Sequence, residues 1–250
     1  MFGYLPKGER KIIKDFYEEN YLYQGSKSIN WDNLNTVKKL SNFIKLNRND
    51  PYSKIESIRT KKQVSSNYFL EFADKTLYVC LRDFLELQPI LQRIGKGDYH
   101  KIILNLSENG GGSVQEMLKL ASLLVLEPVK LCLKYKFQER NYDISGNTLL
   151  QGKKICLITS QNSASSAEIL AFIVFEGNKH SIIGGEKTYG KGEGQVTRIN
   201  FKYKYRFSLT AYEWKVNGLN CEELQKKYKY LFDDHFQGTS AYIDKFLASI

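Results

Sequence analysis

"KIILNLSENGGGSVQEML", Lys101 to Leu118, runs an apolar strand into Gly110, Gly111 and Gly112 and then into a helix. Three glycines let the backbone turn tightly and present N–H groups to something that approaches closely. The turn carries neither the G-x-x-x-x-G-K-[ST] pattern of a phosphate loop nor the G-x-G-x-x-G fingerprint. A hole for a developing oxyanion needs the same backbone geometry and no lysine in the loop. On its own the stretch stays open between a phosphate cradle, an oxyanion site and a glycine-rich turn without chemistry.

Working outward, short apolar strands alternate with helices from residue 67 onward. The strands are "NYFLEF", "TLYVCL", "KIILNL", "VKLCLKY", "KICLIT", "SIIGG", "GQVTRINF" and "YRFSLTAYEW". The helices between them are "DFLELQPILQRI", "SVQEMLKLASLLV" and the segment after Ser165. Strand and helix in repetition predict an α/β layered core. Before it, residues 7–46 carry charged and aromatic residues at helical spacing, with Asn30 as N-cap of a second helix, and Asp50-Pro51 favours a turn. "EELQKKYKYLF" and "SAYIDKFLASI" read as C-terminal helices. The expected division is a helical region over 1–55, a connector over 56–66 and the core over 67–250.

The 250 residues, 42% of them hydrophobic, suffice for a sizeable core. The 37 basic and 27 acidic side chains leave a net +10, but Lys and Arg are spread along the chain instead of forming blocks. Cys80, Cys132, Cys156 and Cys221 show no C-x-x-C spacing and are expected as free, buried thiols. "MFGYLPKGERK" lacks an apolar core of signal-peptide length, and no run approaches the roughly 18 apolar residues of a membrane span. A cytoplasmic setting is the expectation, or an extracytoplasmic one if a leader precedes this sequence.

"KKICLIT" is followed by "SASSAEILAFIVF", apolar on nearly every face from Ile169 to Phe175 and therefore a buried helix. A serine at its start sits inside the protein, near the positive helix end, and becomes a nucleophile only when a base takes its proton. His100, His180 and His235 lie in charged, loop-like surroundings, and no G-x-S-x-G elbow is present. Lysine replaces histidine as base where burial depresses its pKa. Lys191, flanked by Gly190 and Gly192, fits because its backbone can approach another segment closely.

Together "LNLSENGGG", "SASSAEI" and "GEKTYGKGEGQ" resemble the three ordered motifs of the C-terminal processing, or tail-specific, serine proteases. "INWDNL" and "NDPYSK" are weaker echoes of the segments that precede the PDZ domain in that family. The resemblance implies a crotonase/ClpP-like ββα-spiral core and a serine endopeptidase acting on unstructured or C-terminal polypeptide segments. It places the nucleophile on Ser165, the general base on Lys191 and the supporting glutamine on Gln195. The oxyanion hole falls on the N–H groups of Ser166 and of a glycine, Gly112 or Gly111. No metal and no cofactor are implied.

Asn105 and Ser107 stand where the family has Asp and Arg, and S-A-S-S-A replaces S-A-S-A-S. The Ser165–Lys191 separation is about one residue longer than usual, which predicts a small bulge near "HSIIGGE". Only "IESIRTKKQVSS" stands in place of the PDZ domain. The expected partner is a polypeptide substrate and not nucleic acid; an oligomer stays open. Two rivals remain. A crotonase-like acyl-CoA enzyme would use Gly110 to Gly112 without the Ser165 and Lys191 pair. A silent peptide- or nucleic-acid-binding module would use "FKYKYRF", whose alternation a strand with one solvated face also produces.

Overall fold

The structure is a computed structural model and describes residues 3–23, 29–46, 50–58, 65–96, 98–147, 151–179, 181–229 and 232. In chain order, α1 (Lys7–Asn20), a 3₁₀ turn (Trp31–Asn33), α2 (Val37–Lys45) and β1 (Lys54–Ser57) come first. Then follow β2 (Tyr68–Glu71), β3 (Thr76–Cys80), α3 (Gln88–Lys96), β4 (Lys101–Asn105), α4 (Val114–Leu124), β5 (Val129–Tyr135) and β6 (Glu139–Ile144). The chain continues through β7 (Lys154–Thr159), α5 (Ser166–Gly177), β8 (Ile182–Gly185), β9 (Glu193–Asn200), β10 (Tyr205–Val216) and α6 (Cys221–Lys227). The fold is mixed α/β.

Two compact units share the chain, and both are discontinuous in sequence. The first comprises residues 1–62, 133–140 and 193–213; the second comprises 63–132, 141–192 and 214–250. The expected division at 55 and 66 is linear, whereas here the N-terminal helices cluster with β9 and most of β10.

In the first unit, Ile13 and Tyr17 of α1, Leu40 and Ile44 of α2 and Ile55 of β1 pack with Tyr205, Phe207 and Leu209 of β10. Each such side chain contributes about 1.5–3 kcal/mol on burial. Strand β10 pairs antiparallel with β1 through Ile55↔Phe207 and with β9 through Phe207↔Arg198. The sheet has the order β1-β10-β5-β6, with β9 also on β10. "FKYKYRF" runs through the turn between β9 and β10 and into the start of β10, where two of its aromatics, Tyr205 and Phe207, are core residues. They are therefore spent on packing, whereas Phe201 of the same stretch is exposed.

The second unit is built on the sheet β2-β3-β4-β7-β8. A hairpin pairs β2 with β3, and β3, β4, β7 and β8 run parallel. Parallel strands covered on both faces need apolar residues at every position. Accordingly all five residues of β3 are buried, and only the first residue of β4 and of β7 escapes burial. The four cysteines are free: Cys80, Cys156 and Cys221 are buried, and Cys132 is half-buried. Burial pushes the Cys156 thiol up to about 12.

Three expectations need correction. The helix expected from Asn30 is broken, and Asn30 makes no side-chain cap. The Thr36 hydroxyl caps α2 by accepting the Lys39 N–H at 3.2 Å, because an isolated bridge of Tyr4 to Thr36 holds the chain extended just before it. The expected helix 83–94 starts only at Gln88, since Asp83 turns its carboxylate onto the Leu85 N–H and Glu86 takes φ 51°. The bulge expected near "HSIIGGE" is not in β8, whose register with β7 is unbroken; the register shifts in β10, between Thr210 and Tyr212. Strand β6 was not foreseen, because its largely exposed residues carry no apolar pattern. Of the C-terminal helices, α6 forms over part of the first, and "SAYIDKFLASI" lies outside the described residues. Among the described residues no helix is long and apolar enough to cross a membrane.

Candidate active site

Strand β7 delivers the chain into residues 160–165, which are stitched to the turn after β4. The Ser163 hydroxyl donates to the Leu106 carbonyl at 2.7 Å and accepts the Ser160 N–H at 3.0 Å. The Ser160 hydroxyl donates to the Ser107 carbonyl at 2.5 Å, and the Ala164 N–H donates to the Asn109 carbonyl at 3.0 Å. On the other side of Ser165, the Ser166 hydroxyl donates to the Gly112 carbonyl at 2.9 Å. Of the three serines in contention, Ser163 and Ser166 thus spend their hydroxyls on backbone carbonyls.

Ser165 itself is the N-cap of α5 and half-buried, with φ 56° and ψ −122°. A non-glycine residue in such a conformation costs about 1–3 kcal/mol and persists only where the surroundings enforce it. Glu168 supplies the enforcement. Its carboxylate is 0% exposed, and Oε2 accepts the Ser165 N–H at 2.7 Å, the glutamate half of a capping box.

The same carboxylate reaches the lysine loop. Oε2 also accepts the Lys191 N–H at 3.0 Å, and Oε1 accepts the Gly190 N–H at 2.7 Å. The backbone nitrogens of Ser165 and Lys191 therefore share one acceptor atom. A buried carboxylate satisfied by three N–H groups is the arrangement that offsets the desolvation of its charge. The Lys191 carbonyl accepts the Trp214 Nε1–H at 2.8 Å, so the loop is held on both its N–H and its C=O.

The glycine turn closes against the serine. A Cβ on Gly111, which has φ 97°, would lie 2.7 Å from the Ala164 carbonyl oxygen and 2.9 Å from the Ser165 Cβ. Only glycine fits there. Asn109, 0% exposed, shapes the turn: its Oδ1 accepts the Gly111 N–H at 2.8 Å and its Nδ2 donates to the Leu81 carbonyl at 3.0 Å. The Gly111 N–H is thus already engaged within the turn. Asn105, in the place of the family's Asp, donates to the Tyr78 hydroxyl at 2.8 Å and accepts the Ser107 N–H at 2.9 Å.

Ser165, Ser166, Glu168, Lys191 and the three glycines all belong to the second unit. Gln195 lies in the first, on β9 opposite Thr210, and donates to the Tyr52 carbonyl. Tyr52 sits in the D-P-Y-S turn, where Asp50 Oδ1 accepts the N–H groups of Tyr52 and Ser53, each at 3.0 Å. His100 is exposed; His180 and His235 lie outside the described residues. Glu168, Asn109 and Trp214 were missed as site-shaping residues. The S-x-x-E spacing of Ser165 and Glu168 was a signal for the first, since that spacing writes a capping box; Asn109 before Gly110 was a turn signal for the second; Trp214 carries none.

Residues 75–226 match the model of Peptidase family S41, and the chain belongs to that family. The resemblance drawn from the three motifs is thereby borne out. The chain is similar to the "Probable CtpA-like serine protease" of Staphylococcus aureus (strain COL), 28% identical over 132 residues, 52% of this chain and 26% of the relative. It is similar also to the "Tail-specific protease" of Haemophilus influenzae (strain ATCC 51907 / DSM 11121 / KW20 / Rd), 25% identical over 146 residues, 58% of this chain and 21% of the relative. It thus spans about a quarter of the length of the curated relatives it matches. In fold it is like a solved photosystem II D1 C-terminal processing protease, with TM-score 0.52, 19% identity and coverage of 66% of this chain and 48% of that one. A lipoprotein from Streptococcus agalactiae aligns with TM-score 0.62 and 18% identity over 89% of this chain and 94% of that one.

Proposed function

We propose that this chain is a serine-type endopeptidase that cuts unstructured or C-terminal polypeptide segments through a Ser165–Lys191 dyad. The observation that carries the reading is the Glu168 carboxylate, which binds the backbone N–H of both residues through one oxygen. The neutral Lys191 amine takes the Ser165 hydroxyl proton as Oγ bonds to the scissile carbonyl carbon. The proton passes to the leaving amine as the C–N bond breaks, leaving an acyl-enzyme. Lys191 then takes a proton from water, whose oxygen attacks the ester carbonyl, and Ser165 is released with the proton restored. The N–H groups of Ser166 and Gly112 hold the oxyanion in both steps, each worth about 3–4 kcal/mol by analogy with measured holes. Gln195 acts as support for the lysine.

The parallel run β3, β4, β7 and β8, with a helix in each crossover, supports a crotonase/ClpP-like ββα-spiral core. Ten residues, 58–67, join β1 to β2, whereas an independently folded domain takes roughly 50 or more. That count supports a protease core with no PDZ domain at this position, so that the cleft itself selects the substrate.

The test is hydrolysis of an unfolded protein and of an apolar-tailed peptide by wild type, Ser165→Ala, Lys191→Ala and Lys191→Arg. Wild type cleaves, and all three variants fall to background while melting as wild type does. Guanidinium stays protonated and cannot serve as the base. Activity in folded Ser165→Ala would move the nucleophile elsewhere; activity in Lys191→Arg would remove the dyad.

A further inference from the structure

The loop that carries Lys191 is also gripped by a residue from far along the chain. Helix α6 is fastened to α5 beyond its last residue, where the Tyr228 ring packs on Phe175 at 4.4 Å and on Phe172 at 6.2 Å. The Tyr228 hydroxyl donates to Glu176 Oε1, and Lys227 Nζ lies 2.6 Å from the same oxygen. From this seat Gln225, 7% exposed, donates Nε2 to the Thr188 carbonyl at 3.1 Å and to the Thr188 hydroxyl at 2.9 Å. Thr188 is itself 4% exposed. Two residues on, Gly190 lies beside the same side chain: a Cβ there would be in ordinary van der Waals contact with the amide nitrogen and oxygen of Gln225, 3.5 Å from each.

Both neighbours of Lys191 are glycines, so local sequence does little to fix its backbone. Position has to be imposed from outside the loop. Glu168 imposes it at residues 190 and 191 from the α5 side, the Ser163 carbonyl holds the Tyr189 N–H at 3.0 Å, and Gln225 imposes it at residue 188 from the α6 side. A buried amide that donates twice to one residue also leaves a carbonyl and a hydroxyl unsatisfied when it is removed.

We propose that Gln225 is a positioning residue for Lys191, holding Thr188 so that the loop presents the lysine amine to Ser165. The inference rests on the dyad reading. Its test compares kcat, KM, the pH profile of kcat and the rate of Ser165 acylation by a fluorophosphonate in wild type, Gln225→Leu, Thr188→Val, Thr188→Ser and the Gln225→Leu/Thr188→Val double variant. Lys191→Ala runs alongside, and thermal melting reports the folded fraction. Misplacing a reacting group by about 1 Å costs up to roughly a hundredfold. In folded Gln225→Leu, kcat and the acylation rate are therefore expected to fall by about ten- to a hundredfold, with KM nearly unmoved and the ascending pH limb displaced.

Thr188→Val loses one of the two bonds and falls less. Thr188→Ser keeps both acceptors and stays close to wild type. The double variant falls no further than Gln225→Leu, because both changes remove one contact. Should Gln225→Leu fail to fold, Thr188→Val and Thr188→Ser decide. Unchanged kcat in folded Gln225→Leu or Thr188→Val, or a loss that tracks only the folded fraction with an unshifted pH limb, overturns the positioning role while a dead Lys191→Ala leaves the dyad standing. An active Lys191→Ala overturns both.

Discussion

The segment around Ser165 holds itself in place through near neighbours and through the single turn that faces it. Ser160, Ser163, Ala164 and Ser166 all bond to residues 106–112, and Glu168, three positions on, bonds back to Ser165. The segment around Lys191 has no such local frame. Its fixed points include the Ser163 carbonyl, which accepts the Tyr189 N–H at 3.0 Å, together with Glu168 on α5, Trp214 on β10 and Gln225 on α6, which reach in from different elements. The geometry around Ser165 is therefore encoded over one compact pair of motifs, whereas the geometry around Lys191 depends on helices and strands that assemble around a pliable loop. Damage to the first should be abrupt and local, and damage to the second graded and transmissible from a distance.

The largest effect short of removing a reacting group is expected at the interface of serine and glycine turn. Gly111→Ala places a methyl 2.7 Å from the Ala164 carbonyl oxygen at a φ of 97°. Such a contact forces the turn away from Ser165 and carries with it the Gly112 N–H of the proposed oxyanion hole. A loss of about a hundredfold or more in kcat/KM is expected, the scale of a lost oxyanion donor. Gly110 is the control, since a Cβ there meets nothing within 4 Å. Gly110→Ala should stay within about threefold of wild type, well under the 1.4 kcal/mol that a tenfold change represents. Equal losses in the two variants would show that glycine flexibility in general, and not the close approach of Gly111, is what matters.

The same contrast explains how much could be read in advance. The strand into the triple glycine and the buried helix that follows Ser165 were legible because their determinants lie close in sequence, whereas the S-x-x-E spacing that ties Glu168 to Ser165 went unread. The parallel strands were legible because burial on both faces writes itself as unbroken apolar runs in "TLYVCL", "KIILNL" and "KICLIT". Strand β6 and the break after Asn30 were not, since one is mostly exposed and the other arises from a bridge to Tyr4. Gln225 and Trp214 carry no local signal at all. A glutamine on an amphipathic helix and a tryptophan in a strand look like surface and core until tertiary structure brings Thr188 and Lys191 to them.

A smaller effect separates the neighbouring serines. Ser163→Ala removes a hydroxyl that serves both the Leu106 carbonyl and the Ser160 N–H in a fully buried position. A destabilisation of about 1–3 kcal/mol is expected, the cost of leaving buried groups unpaired. Ser166→Ala removes a single bond to the Gly112 carbonyl and should cost about 1 kcal/mol. Denaturant melts give the two values, and both variants should keep activity in proportion to folded protein, because the Ser166 N–H survives the change. A dead but well-folded Ser166→Ala, with an active Ser165→Ala, would move the nucleophile by one residue.

The smallest effect lies at the far end of α5, where Glu176 seats α6. Burial alone would raise the Glu176 carboxyl, but hydrogen bonds from Lys227, Tyr228 and Asn217 outweigh it and hold the group below its ordinary value of 4.5. A folded-state value below the unfolded one means that the unfolded chain binds the proton first as pH falls. The stabilisation is thus complete above about pH 4.5 and is lost as the pH drops through the lower folded value. Glu176→Gln should melt below wild type at neutral pH, and the gap should close in acid. Because α6 carries Gln225, the same variant should also lower kcat slightly at neutral pH, by less than Gln225→Leu does. A melting gap that does not narrow at all as the pH falls below 4.5 would assign the effect to packing instead of charge. A fall in kcat as large as that of Gln225→Leu would mean that the whole seat of α6, and not one amide, sets the position of the lysine loop.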